Sequence, residues 1–180
     1  MKTLLSFSLI ALLATAPALA DEQESEFLSK TIDLGCVVAD IDASVKFYTE
    51  AIGFKQVTGF SVPADFATKS GLTEKRPLDI KVLVLGEGDG ATKLKLMQVP
   101  GSPSKKADNS TIDSQLGFSY LTIVVKSTDR ALARLAKAGV KPIAEGPVTL
   151  PDNLNPALSL TIVRDPDGNF VEFVGPKPAK

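Results

Sequence analysis

The chain has 180 residues, enough for one ordinary domain or two small fused units. Its 20 basic and 21 acidic residues are scattered, with no basic stripe and no basic amphipathic segment, which argues against nucleic acid and membrane surfaces as partners. It contains no histidine, and this excludes Ser-His-Asp and Cys-His mechanisms and the two-His-one-carboxylate iron site.

Residues 1–20 read as an export signal. Lys2 gives a positive start, residues 4–16 form an apolar run too short to cross a bilayer comfortably, and Ala18-Leu19-Ala20 supplies the small residues of a cleavage site. Cleavage after Ala20 is expected, giving a periplasmic or secreted product with no membrane attachment afterwards. Loss of Lys2 takes the formal charge from −1 to −2. A short arm, 21–30, follows.

Residues 31–38 have the alternation of a strand, with Ile32, Leu34, Cys36 and Val38 on one face and Asp33, Gly35 and Val37 on the other. Cys36 is the only cysteine, so no internal disulfide exists, and its mid-strand position implies an inert packed thiol. Asp40 can cap the helix after it, along which Ile41, Val45, Tyr48 and Ile52 make one apolar stripe. Gly53 is placed to end that helix in a left-handed turn. A strand at 54–60, an irregular stretch at 61–77 with a helical turn about Phe66, and a hairpin of strands at 78–86 and 92–99 complete the unit. The glycines of 86–90 sit inside this hairpin and open no helix, so they do not read as a phosphate loop.

After a polar linker at 101–116, the pattern repeats. A strand at 117–126 leads to Ser127 or Thr128 as cap, then to a helix with Ala131, Leu132, Leu135 and Ala136 on its inner face and Gly139 as its stop. Strands are expected around 140–149, 158–164 and 170–175, the last two joined by the turn Asp165-Pro166-Asp167-Gly168-Asn169. Asp33 to Asp40 is seven residues, as is Tyr120 to Ser127. The chain is thus read as two βαβββ modules, 31–100 and 117–176, forming one α+β domain over 31–176: a curved mixed sheet around a central cleft.

Two stretches carry a family resemblance. "TIDLGCVVADIDASVKFYTEAIGF" resembles the opening of the vicinal oxygen chelate superfamily, the glyoxalase, bleomycin-resistance and dioxygenase group, and "RDPDGNFVEFVGP" resembles its closing hairpin. The resemblance implies two modules curved into a cleft, with metal-dependent members placing His or Gln, Glu, His and Glu on the first and last strands of each module. Those positions fall here on Asp33, Lys95, Tyr120 and Glu172, of which only Glu172 keeps the family's residue type. A charged lysine has no lone pair to offer a metal. No metal and no cofactor are therefore expected. The expectation is that Lys95 takes the charge role of the metal, offsetting Asp33 and Glu172, while the Tyr120 hydroxyl completes the hydrogen bonds. Plainer readings stand beside it: Asp33 at a solvated strand end, Lys95 snorkelling to water, Tyr120 as a wall of the cleft.

Three functions are open at this point. In the first, the cleft binds a small amphipathic molecule without chemistry, through Asp33, Lys95, Tyr120, Thr122, Thr161 and Glu172, with Ser159 beside them and Val37, Met97, Val124 and Phe170 as the apolar part. In the second, a glyoxalase-like lyase or isomerase uses Glu172 as base, with Lys95 or Tyr120 stabilising an enediolate. In the third, the fold serves a partner or a structural role, as monomer or homodimer.

Overall fold

The computed structural model describes residues 27–29 and 31–178. The export signal expected at 1–20 lies outside the described residues, as does most of the arm expected at 21–30.

The first module runs β1 (Asp33–Val37), α1 (Ile41–Lys46), a π-helical continuation (Phe47–Ile52), β2 (Lys55–Val62), α2 (Ala64–Lys69), β3 (Leu78–Leu85) and β4 (Thr92–Met97). The second runs β5 (Tyr120–Val124), α3 (Thr128–Lys137), β6 (Val148–Thr149), β7 (Leu158–Arg164) and β8 (Phe170–Pro176). The strands form two four-stranded mixed sheets of identical topology, ordered β1-β4-β3-β2 and β5-β8-β7-β6, with β1 parallel to β4 and β5 parallel to β8. This is the expected α+β architecture, with hydrogen-bonded pairing confined to each module.

Local chemistry fixes the helices. The Asp40 carboxylate accepts from the amides of Asp42 and Ala43 at 3.0 Å, and Ser127 caps α3 through Arg130 N. Gly53 takes φ +99° and closes the π turn on the Tyr48 carbonyl, as its position predicts. The buried stripe is Ser44, Phe47, Tyr48, Ala51 and Ile52. It packs with Leu94, Leu96, Ile123, Leu135, Val163, Val171 and Phe173 in a single core drawn from both modules. Each large side chain buried there contributes roughly 1.5–3 kcal/mol.

Polar latches join the modules within one chain. The buried Asp165 carboxylate accepts from the Tyr48 hydroxyl at 3.0 Å, and from Asp167 N, Asn169 N and Asn169 Nδ2 at 2.8–3.0 Å. Burial first, then the neighbouring Asp165 charge, drives the Tyr48 pKa upward. Arg134 donates through Nε to the Ala51 carbonyl at 2.9 Å and through Nη2 to the Ile52 carbonyl at 2.8 Å, so α3 carries the cap of the first module's helix.

Two expectations change. The strand around 140–149 shrinks to Val148–Thr149, because Pro142 and Pro147 have no amide hydrogen to donate to a ladder. The first strand of the second module begins at Tyr120, three residues past Gly117, whose φ of +122° breaks extended geometry.

Candidate functional site

The strands aim alternate residues away from the helices. In the first sheet β1 presents Asp33, Gly35 and Val37, and β4 presents Lys93, Lys95 and Met97, leaving Leu94 and Leu96 to the core. In the second sheet the parallel register sets Tyr120 beside Phe170 and Thr122 beside Glu172. These four lie on the face opposite Ile123, Val171 and Phe173, which pack in the core.

The structure joins the four family positions in series rather than around one point. Lys95 Nζ stands 2.7 Å from Asp33 Oδ2, both side chains about one-third exposed. That hydrogen bond, outweighing partial desolvation, holds the Asp33 carboxyl below the usual carboxylate range. Lys95 also lies 5.9 Å from the centre of the Phe60 ring. Asp33 and Tyr120 share a hollow of 300 Å³ at the seam where β1 and β5 approach, with Cys36 and Tyr48 also lining it. Burial pushes the Cys36 thiol up to about 11, consistent with the inert thiol expected for that position. Tyr120 and Phe170 also line a second hollow of 300 Å³, which contains Glu172. There Glu172 accepts a hydrogen bond from the Thr122 hydroxyl at 2.9 Å.

The expected cluster is therefore half present. Lys95 neutralises Asp33, but among the described residues the ion pairs are Lys95–Asp33, Lys81–Asp79 and Lys55–Glu87, so Lys95 does not offset Glu172. Arg164, one register step away on the same face, is turned onto the Phe170 ring at 4.2 Å and onto the carbonyls of Gly168 and Ser110.

Thr161 is a correction. It pairs with Phe173 across the ladder, shares that residue's core face, and is 1 % exposed, so it cannot line the cleft. Ser159 lies on the same buried face and donates to the Gly175 carbonyl. The strand is offset by one residue from the expected alternation, which transfers the whole set to the other side. Its cleft residues are Leu160, Ile162 and Arg164.

Sequence reasoning missed Ile112, Ile143 and Ile162, which wall the Glu172 hollow, and Phe60 in the first sheet. Ile112 belongs to a segment read as plain linker. Asn109 and Ser110 pin it to the β7–β8 hairpin through Asn169 and Arg164. No periodic signal marks such a residue. Phe60 reaches the cleft face because β2 carries a bulge between Val57 and Phe60. The signal for that was Gly59, where a Cβ would lie 2.1 Å from the Ile80 carbonyl oxygen.

A paired module of this topology, opening on a shared cleft, defines the glyoxalase-like class. The sequence matches the profile of the Glyoxalase/Bleomycin resistance protein/Dioxygenase superfamily over residues 33–173, and the chain belongs to that superfamily. No curated relative matches it. Among solved structures it is similar to a glyoxalase family protein from Bacillus cereus, with 21 % identity and a TM-score of 0.65 over 86 % of this chain and 97 % of that one. It is also similar to a glyoxylase/bleomycin resistance protein/dioxygenase domain from Frankia sp., with 20 % identity and a TM-score of 0.58 over 86 % and 96 %. A third is the trypanothione-dependent glyoxalase I of Leishmania major, with 24 % identity and a TM-score of 0.54 over 79 % and 84 %. At these identities the likeness speaks for the fold alone.

The superfamily's metal does not fit the residues present. Its four positions hold an ion-paired ammonium, a phenol and two carboxylates belonging to different sheets. Among the described residues, no three His, Cys, Asp or Glu side chains come together as a metal site. An ammonium beside Asp33 repels a divalent cation and occupies the one ligand that position supplies.

Proposed function

We propose that this protein binds a small amphipathic molecule in its cleft without a metal. The observation that carries the reading is the Lys95–Asp33 ion pair at 2.7 Å, standing at two of the positions where metal-dependent relatives place ligands. The rest of the cleft suits a ligand that is part apolar. Val37, Phe60, Tyr120 and Val124 are each about half exposed or more on the cleft faces of the two sheets, interrupted by the Asp33–Lys95 and Thr122–Glu172 pairs. The lyase or isomerase alternative has less support. Glu172 is offered as its base, but the ammonium that would stabilise an enediolate is engaged by Asp33 in the other sheet.

Metal analysis of the purified mature protein tests this reading. We expect less than stoichiometric zinc, nickel, manganese and iron, and a melting temperature unmoved by EDTA or by added divalent ions. Stoichiometric metal that is lost on Asp33→Ala or Glu172→Ala substitution overturns it. Export belongs to the same proposal and rests on Lys2, the apolar run and Ala18-Leu19-Ala20. An intact mass beginning at Asp21, in an extracytoplasmic fraction, is the expected result.

A further inference from the structure

The two hollows differ in charge. The one at the seam holds Asp33, already neutralised by Lys95. The other is walled by Ile112, Ile143, Ile162, Tyr120 and Phe170, and Glu172 is the one charged side chain lining it. One Glu172 oxygen accepts from Thr122; the other has no partner among the described residues. Phe170 is buried and Tyr120 half exposed, and both rings line the hollow with the carboxylate. A partly desolvated carboxylate without an ion-pair partner is costly, and a ligand that supplies the charge recovers part of that cost.

We infer that the Glu172 hollow receives the head of an organic cation, an ammonium carried on an apolar body. This rests on the cleft-binding reading above and names the class of ligand. A protonated amine donates to the open Glu172 oxygen while Thr122 holds the other. Its charge meets the half-exposed Tyr120 ring, an aromatic surface favourable to cations, while the Phe170 ring already carries Arg164. The methylene or aryl portion lies against Ile112, Ile143 and Ile162. Arg164 lies over the Phe170 ring at 4.2 Å but makes no ion pair with Glu172 among the described residues: its guanidinium is bound to the Gly168 and Ser110 carbonyls at 2.8 and 3.0 Å. The same bond to Ser110, with that from Asn109 to Asn169, holds the linker so that Ile112 closes one side of the hollow. An anion is disfavoured here because the charged side chain lining the hollow is a carboxylate.

The test uses three probes of matched shape: 2-phenylethylammonium, 2-phenylethanol and phenylacetate. Affinities for the full mature protein are measured by calorimetry at low salt. The ammonium is expected to bind about tenfold tighter than the alcohol, one charge-assisted hydrogen bond's worth, with phenylacetate weakest. Glu172→Gln, checked for an unchanged fold by its melting curve, is expected to bring the ammonium down to the affinity of the alcohol. In the unmodified protein, raising sodium chloride from 0.05 to 0.5 M is expected to weaken the ammonium several-fold and leave the alcohol unchanged. Because this readout needs no variant, it stands even where Glu172→Gln misfolds. If the alcohol or phenylacetate binds as tightly as the ammonium, cation selectivity is refuted while cleft binding stands. If none of the three binds, this inference fails. A metal held by Glu172 would bring down the cleft-binding reading itself.

Discussion

The two modules repeat one scaffold and invert one charge. In each, the first strand runs parallel to the last, and the register makes the positions equivalent: Gly35 beside Lys95 in one sheet, Thr122 beside Glu172 in the other. At this shared position the first module carries an ammonium and the second a carboxylate. The consequences differ. Lys95 finds Asp33 diagonally across its own sheet, and the rest of that face is closed by the cluster of Leu78, Ile80 and Val82 with Met97 against it. Glu172 finds only a hydroxyl, and the wall above it stays open as a hollow. A duplicated fold thus yields a half whose cleft carboxylate is ion-paired and whose face is largely self-filled, and a half whose carboxylate has no ion-pair partner among the described residues and borders an open hollow. The difference lies in the side chains at equivalent places rather than in backbone topology.

The largest expected effect comes from breaking what holds the halves together. Asp165→Ala removes the acceptor for a buried tyrosine hydroxyl and for three donors of its own turn, and it frees both modules at once. A loss of about 3 kcal/mol or more is expected, since each buried donor left unpaired costs about 1–3 kcal/mol. Urea unfolding measures it. Tyr48→Phe, which leaves Asp165 three donors, should cost only about 1 kcal/mol. Equal losses from the two would show that the turn, and not the contact between modules, carries the stability.

A smaller effect should fall on the first module alone. Gly59→Ala pushes a methyl group onto the Ile80 carbonyl, where no flexible side chain can yield. Strain of about 2 kcal/mol is expected by chemical denaturation, within the usual range for overpacking. The bulge it disturbs is what turns Phe60 toward Lys95, so cleft chemistry should change in the first half and leave the Thr122–Glu172 pair in place. Amide shifts confined to β2, β3 and β4 would confirm this; shifts spreading to β8 would contradict it.

These examples show how far the sequence could be read. The modules, both capped helices, the Gly53 stop and the Asp165–Asn169 turn were legible, because capping residues and strict periodicity act over a few residues. The facing of Asp33, Lys95, Tyr120 and Glu172 was legible for the same reason. Thr161 was not: where Ser159, Thr161 and Val163 are buried on one face and Leu160 and Ile162 are half-buried on the other, both sets are compatible with a core, and the pairing of Thr161 with Phe173 decides. Phe60 was hidden by a bulge, which breaks the period of two on which the reading depends. The walls contributed by Ile112 and Ile143 come from irregular backbone, placed by Arg164, Asn169 and the Ile162 carbonyl rather than by any local rule.

The smallest effect is the most discriminating. The structure couples Lys95 to Asp33 and leaves it unpaired with Glu172, so two double-mutant cycles should give different answers. Between Asp33→Asn and Lys95→Met, a coupling of under about 1 kcal/mol is expected, since both side chains are a third exposed and water screens the pair. Between Lys95→Met and Glu172→Gln it should be indistinguishable from zero. The pH dependence gives the sign. Because Asp33 titrates below its ordinary value of 3.8 when folded, its contribution is present above that value and is lost as pH falls through the folded one. The stability difference between the unmodified protein and Asp33→Asn should therefore be flat near neutrality and shrink on acidification below about pH 4. In the Lys95→Met background most of that shrinkage should vanish, leaving only the smaller pull of Lys93. If it persists in full, the carboxylate is held by something other than Lys95. A sizeable Lys95–Glu172 coupling would instead mean that the two charges meet across the cleft, and the division into an ion-paired half and an unpaired half would be wrong.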